Sequence, residues 1–522
     1  MIRKIFFVFA IICLCFISSC KDDEKNKEPE TVIVTFDSQL GEEPIVKEIE
    51  KGTCVEYVVP KLNEGFEFVG WTTDLSTSIV FNFENIVNED LVLFAIWEEV
   101  IPTVKDYSYI IDEYVPDVLT ESIELPKTLD HLNLIWSTSD NYTLTNYGEL
   151  FRNREDVKLT VYLTVYDYGV TTDFEKEVLV KALEFKPLDK SNLVFGYYST
   201  WNFFGYTDMM LETCDVINLC FGYVTSDYKV DATSILPYLS QVLKAREAGV
   251  RVVLSIQGYS SAGTNFSKAA STDAGRKTLA ESMLKTIEKY HLDGIDIDWE
   301  YPGFNTGTPT SIDKPNYTLL CKQIVETLKG ANPDYLVTAA IPGGGNGPSR
   351  FELGNVAKYL DYIHIMTYDL QSGSSATHHS ALYKSSATLN GCSIQESVNT
   401  YINNGVPKEK IVIGLAFYGK RTRATSLGGR ASGGYKAIVY SALVTDYLSR
   451  LNKDVVYGFD ETAQAPYLLD KTNGYFITYE DERSIAAKCK FAIDNNIAGV
   501  MIWEIGEDNT DTLITAVNKG IK

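Results

Sequence analysis

Positive charge is scarce in this chain of 522 residues: 47 Lys and Arg stand against 70 Asp and Glu, a net charge of −23. So acidic a surface repels nucleic acid and anionic membrane surfaces, whose binding rests on neutralised phosphates. Paired cysteine motifs are missing too. Cys54, Cys214, Cys220, Cys321, Cys392 and Cys489 show no C-x-x-C or His pairing at metal-site spacing, which predicts buried free thiols, no disulfide, no metal and no cofactor. The amino terminus also falls short of a membrane span. Its apolar run from Ile5 to Ile17, behind Arg3 and Lys4, is about 13 residues, the length of an export signal, against about 20 for a spanning helix.

What the chain has in quantity is aromatic: 33 Tyr and 24 Phe. Most belong in a core, but aromatic faces also stack on sugars, and a neutral glycan is not penalised by an acidic surface. At the end of the apolar run, Ile17-Ser18-Ser19-Cys20 resembles a bacterial lipobox. The resemblance implies cleavage before Cys20, acylation of that thiol and a lipid anchor. Lys21-Asp22-Asp23-Glu24-Lys25 looks like the acidic tag that sends outer-membrane lipoproteins to the cell surface. Residues 21–30 hold no apolar side chain and predict a disordered tether.

Three folded segments follow. Over 31–100, the alternation in Val32-Ile33-Val34-Thr35-Phe36 and the runs from Gly65 to Trp71 and from Leu91 to Trp97 predict short strands. Their V-x-F, G-x-x-F-x-G-W and A-x-W marks resemble a small bacterial surface repeat of β-grasp type, with Trp71 and Trp97 in its core. Over 102–185 helical periodicity is weak, and the runs Leu134–Ser139 and Val157–Val165 read as sandwich strands. That segment resembles a bacterial immunoglobulin-like domain serving as a spacer.

From 187 to the end, eight apolar strand candidates recur: Leu193–Tyr198, Val216–Gly222, Val252–Ile256, Gly294–Asp298, Leu336–Ile341, Tyr362–Met366, Ile411–Ala416 and Gly499–Trp503. Helical stretches such as Lys277–Tyr290 and Asn316–Leu328 separate several of them. Strand and helix in alternation over this length predict an α/β fold, a (β/α)₈ TIM barrel. The longer gap before the last strand predicts a small α+β insertion at about 420–475.

The most informative stretch is His291 to Gly303, H-L-D-G-I-D-I-D-W-E-Y-P-G. Asp296, Asp298 and Glu300 alternate with Ile295, Ile297 and Trp299, so a strand would put three carboxyls on one face. Same-face neighbours lie about 7 Å apart, and such acids repel unless one keeps its proton. A protonated carboxyl beside ionised ones can protonate a leaving oxygen and stabilise positive charge. The D-x-x-D-x-D-x-E pattern resembles family-18 glycoside hydrolases, in their chitinase branch.

That resemblance implies roles residue by residue. Glu300 is the expected general acid. Asp298 would orient the substrate's acetamido group, Asp296 would share a proton with Asp298, and Asp293 would be structural. Met366-Thr367-Tyr368-Asp369 matches the family's M-x-Y-D, so Tyr368 would donate to the acetamido carbonyl, Asp369 would bind the distorted sugar, and Met366 would line the site. Trp503 would be the floor. Tyr197 and Ser255, grouped with the substrate-binding residues, would hydrogen-bond the aspartates. Tyr301, Tyr418, Tyr259, Trp201, Phe203 and Phe204 are candidates for sugar contact. The family's S-x-G-G reads Ser255-Ile256-Gln257-Gly258 here, a departure that narrows backbone freedom and alters the cleft. The resemblance implies a monomeric, retaining, endo-acting enzyme on β-1,4-linked N-acetylglucosamine. Two alternatives stand beside it: an endo-β-N-acetylglucosaminidase on N-glycans, and a non-catalytic glycan-binding surface protein.

Overall fold

The computed structural model describes residues 30–522 apart from 62, 64–65, 100–105, 154, 184–187, 189–190, 203, 260, 305 and 372. The signal, Cys20, most of the tether, the start of the third segment at 187 and Phe203 lie outside the described residues.

The first segment is a four-stranded sheet in the order Ile45–Glu50, Thr31–Asp37, Leu91–Glu99, Phe66–Thr72. Thr31–Asp37 pairs antiparallel with Ile45–Glu50 and parallel with Leu91–Glu99. Val32, Val34 and Phe36 are buried on one face, as the period of two requires. Trp71 is fully buried, edge-on to Phe36 with ring centroids 4.9 Å apart, and its indole N–H donates to Val58 O at 2.6 Å. Trp97 is half-buried and donates to Ser38 O at 2.8 Å. Cys54, expected to be buried, is exposed, its thiol 3.3 Å from Glu84 O in the extended segment after a turn; the other five thiols are buried.

In the second segment one five-stranded sheet runs in the order Val118–Leu119, Val170–Val180, Val157–Asp167, Leu132–Thr138, Thr128–Leu129. A helix, Ser108–Tyr114, precedes it where the sequence predicted none; Ile110 and Ile111 bury against the fold. Two turns of helix are too short to leave a period in the sequence.

The third segment closes eight parallel strands: β1 (Leu193–Ser199), β2 (Val216–Val224), β3 (Arg251–Gln257), β4 (Gly294–Asp298), β5 (Leu336–Pro342), β6 (Tyr362–Met366), β7 (Ile411–Ala416) and β8 (Gly499–Trp503). Each pairs with the next, and β8 returns to β1. Leu193, Phe195, Val216, Val253, Leu336, Val412 and Met501 pack together inside the barrel. Val194, Ile217, Leu254, Ile295, Ile363, Ile413 and Val500 belong to the core under the helices. With both faces buried, these strands read as apolar runs without alternation. Where alternation does appear it marks the interior: by the same period Ser255 and Gln257 follow Val253 inward, and His364 and Met366 follow Tyr362. Between β7 and β8, residues from Tyr418 to Thr478 form a five-stranded antiparallel sheet carrying the helix Tyr440–Asp446.

Candidate active site

The start of β4 is held by backbone geometry that only glycine allows. Gly294 has φ +158°, and a Cβ there would lie 2.1 Å from Leu336 O. Next to it the Asp293 carboxylate accepts from Val252 N at 2.8 Å while its own N–H donates to Val252 O at 2.7 Å, so this acid fastens β4 to β3. β4 stops at Asp298. Gly258 N–H donates to Asp298 O at 2.7 Å and Glu300 N–H to Gly258 O at 3.2 Å, which swings the chain off the sheet. Gly258 permits this, since a Cβ there would lie 2.8 Å from Trp299 Cα. Trp299 turns outward, fully buried, its ring stacked on Phe266 at 5.5 Å. Two of the three expected carboxyls therefore sit on the strand. Glu300 reaches the same cleft from the turn beyond it.

Asp296 is buried inside the barrel under three hydroxyls. Tyr197 OH and Ser255 Oγ donate to Oδ2 at 2.9 and 2.8 Å, and Thr338 Oγ1 donates to Oδ1 at 2.6 Å. Tyr197 and Ser255 do hold an aspartate as expected, but not as substrate-contacting groups: both are buried below the cleft and absent from its wall. Their side chains are spent on Asp296, and the Tyr197 ring supports Trp503, centroids 5.7 Å apart.

Above this layer opens a cleft of about 330 Å³ lined by Asp298, Glu300, Tyr301, Met366, Tyr368, Asp369, Tyr418 and Trp503, with Phe221 and Gln257. Among the described residues, no Lys or Arg lines it. Burial, then the charges of Glu300 and Asp296, push Asp298 well above the ordinary aspartate range, and its Oδ1 has no hydrogen-bond partner. Burial also raises Glu300, with Asp369 adding and a hydrogen bond from Tyr301 opposing. Asp369 is the opposite case. Burial would raise it, but the neighbouring His379, 3.9 Å away, and the Lys420 ammonium hold it well below the usual range. Tyr418 OH and Lys420 Nζ donate to its two oxygens at 2.7 and 2.8 Å. Asp369 sits at φ +58°, a left-handed turn that aspartate tolerates, and this aims its side chain back at the cleft. Trp503 stacks on Phe221, centroids 5.7 Å apart, forming the apolar floor.

Of the sugar-contact candidates, Tyr418 and Tyr301 line the cleft; Trp201, Phe204 and Tyr259 are more than half exposed outside its lining. Sequence reasoning missed Thr338, His364, His379 and Lys420. Thr338 and His364 left a trace, since each alternates with inward-facing neighbours, Leu336 on one strand and Tyr362 and Met366 on the other, both strands already identified. Lys420 and His379 come from the insertion and a long loop, and nothing local marks them.

This barrel matches the sequence profile of the glycosyl hydrolases family 18 over residues 193–508, and that of the Listeria-Bacteroides repeat domain matches 33–96. Chitinase A1 of Niallia circulans is 30% identical over 299 residues, covering 52% of this chain and 42% of that protein. Chitinase 1 of Aphanocladium album is 30% identical over 292 residues, 54% of this chain and 67% of that one. Among solved structures, a family-18 N-acetylglucosaminidase from Paenibacillus barengoltzii aligns with TM-score 0.57 at 34% identity, over 63% of this chain and all of that one. Chitinase ChiA74 from Bacillus thuringiensis shares the fold at TM-score 0.56 and 24% identity, over 63% and 70%. The chain thus spans less than half of one curated relative and two thirds of another, and the match takes in every strand of the barrel and every residue of the cleft. The chain belongs to glycosyl hydrolase family 18.

Proposed function

We propose that this chain is a retaining glycosidase that cleaves β-1,4-linked N-acetylglucosamine, as in chitin, by substrate-assisted catalysis. The observation that carries the reading is the pair Asp298 and Glu300, two raised carboxyls in one cleft with no cation among its described lining residues. Glu300 delivers its proton to the glycosidic oxygen as the bond from the anomeric carbon breaks. The acetamido oxygen of the same sugar closes on that carbon, with Asp298 accepting from the acetamido N–H and Tyr368 donating to its carbonyl oxygen. Glu300, now ionised, takes a proton from water as the water reopens the ring, and configuration is retained. The third acid, Asp369, is engaged by Tyr418 and Lys420, so among the described lining residues no carboxylate is left over to act as a covalent nucleophile.

Substrate assistance requires the acetamido group. β-1,4-glucan is therefore expected to be inert, and a thiazoline mimic of the cyclised intermediate to inhibit competitively. Cleavage of glucan, or indifference to the thiazoline, would end this reading. The chitinase names of the relatives support chitin over N-glycans. Likeness to an N-acetylglucosaminidase supports a second reading, release of single sugars from chain ends. Product lengths from colloidal chitin separate the two, and a high-mannose glycoprotein run beside it tests the N-glycan alternative.

The same reading places the mature chain at a bacterial surface as a monomer, anchored through acylated Cys20, with an immunoglobulin-like spacer at 102–185. The lipobox pattern supports the anchor. Cys20→Ala is expected to move the protein out of the membrane fraction, and unchanged fractionation would remove the anchor from the account.

A further inference from the structure

His364 lies inside the barrel, one layer below the cleft, and the chemistry above makes no use of it. It is fully buried. Its Nδ1 is 2.7 Å from Tyr197 OH and 3.7 Å from Asp296 Oδ1. The Phe195 ring packs against it, centroids 4.5 Å apart, and Nε2 has no hydrogen-bond partner. The titratable groups that face it are Tyr197 from β1 and Asp296 from β4. On its own strand Tyr362 flanks it.

Tyr197 has one hydroxyl proton and two neighbours that could receive it. If the imidazole proton were on Nε2, the hydroxyl could turn to Nδ1. Asp296 would then lose one of its three donors, and an N–H would be buried with nothing to accept it. If the proton is on Nδ1, the imidazole donates to the Tyr197 oxygen, the hydroxyl is free to donate to Asp296, and the only orphan is a lone pair on Nε2. A hydrogen bond to an ionised carboxylate is roughly twice as strong as one between neutral groups, and orphaned buried N–H groups are rarer than under-used acceptors. Both considerations select Nδ1. Burial, against the pull of Asp296, lowers the imidazole pKa to about 4, so near neutral pH the ring carries one proton.

We infer that His364 is a positioning residue: neutral and protonated at Nδ1, it donates to Tyr197 and so commits the Tyr197 hydroxyl to Asp296. With Tyr197, Ser255 and Thr338 all donating, both oxygens of Asp296 are engaged as acceptors in the barrel interior. The raised carboxyl, Asp298, is the one that faces the cleft. The consequence for rate rests on the roles proposed above for Asp298 and Glu300; the position of the imidazole proton does not.

Two arms test this. Nitrogen NMR of the enzyme labelled with ¹⁵N-histidine, the His364 signals identified by their loss in His364→Asn, is expected to show a protonated Nδ1 and a bare Nε2 near neutral pH. A proton on Nε2 overturns the inference. In the kinetic arm, the amide nitrogen of His364→Asn takes the place of Nδ1 and can still donate, so kcat is expected within about threefold of the parent. His364→Leu cannot donate. Its kcat is expected to fall about tenfold or more with KM changed less than about threefold, because the Tyr197 hydroxyl is no longer committed to Asp296. Equal losses in both variants, or a loss confined to KM, overturn the positioning role. Should His364→Leu fail to fold, the NMR arm and His364→Asn still decide. If Glu300→Gln retains full activity, the proposed function fails, and the NMR arm alone then judges His364.

Discussion

Ahead of the helix Glu482–Asp494, the carboxylate of Glu480 is 1% exposed; at the end of β4, Asp298 is 5% exposed. Glu480 is ion-paired with fully buried Lys488 and accepts from Ser484 Oγ at 2.6 Å; Lys488 also donates to Ser380 O at 2.6 Å and Oγ at 2.9 Å. Every group in that cluster has a partner. Asp298 has Glu300 and Asp296 as its charged neighbours and an oxygen with no partner. Taking a carboxylate out of water is costly in both places. At Glu480 a cation offsets the cost and the acid acts as a fastening. At Asp298 nothing offsets it, so the acid holds a proton, which is the property a proton-transfer site needs.

The comparison makes its largest claim at Lys488. Lys488→Met strands Glu480 and is expected to destabilise the fold by about 3–5 kcal/mol, read by chemical denaturation. Adding Glu480→Leu should restore much of the loss, and a single-variant cost below about 1 kcal/mol would break the contrast.

Next in size is Glu300→Gln, expected to lower kcat by about 100-fold or more on chitooligosaccharides while the melting temperature holds or rises. Parental rates would mean the acid lies elsewhere.

Asp298→Asn turns the comparison into a stability measurement. The folded-state pKa of Asp298 is raised, by burial first, so the acid favours the fold while it holds its proton and loses that advantage as pH rises through the folded value. The amide never ionises. The variant is therefore expected to be more stable than the parent by about 0.5–2 kcal/mol in mildly alkaline buffer. The difference should shrink as pH falls toward the ordinary aspartate range. Its kcat is expected to fall far more than its KM rises, since the lost contact tightens at the transition state. A destabilised variant at high pH would place Asp298 with Glu480.

The smallest effect is expected at Lys420, whose ammonium meets a half-exposed Asp369. Lys420→Met should cost under about 1 kcal/mol of stability and act through a few-fold rise in KM. A loss of stability on the scale of Lys488→Met would erase the distinction between a cleft-edge pair and a buried fastening.

The same contrast explains what could be read in advance. The Asp293–Glu300 run was legible because acids alternating with Ile and Trp on a strand candidate defeat any ordinary burial pattern. The barrel was legible because eight doubly buried strands leave eight apolar runs. Tyr368 and Asp369 could be placed because they follow one of those runs directly. Tyr197 and Ser255 were placed one layer too high: a strand's period says which face a residue takes, not whether it reaches the cleft or stops beneath it. Cys54 was misread because a thiol carries no local sign of exposure, and the helix Ser108–Tyr114 because two turns are too few to show a period.

Local order along the chain determined the strands, their inward faces and the acidic run, because these follow from periods of two and 3.6 acting over a few residues. Tertiary structure alone decided which acid keeps its proton. That depends on three hydroxyls reaching Asp296 from β1, β3 and β5, a histidine behind one of them on β6, and a lysine on the insertion drawing Asp369 away from its neighbours. These groups are tens to hundreds of residues apart in the chain. Their charges and hydrogen bonds act over a few ångströms, and only the closed barrel brings them within that range.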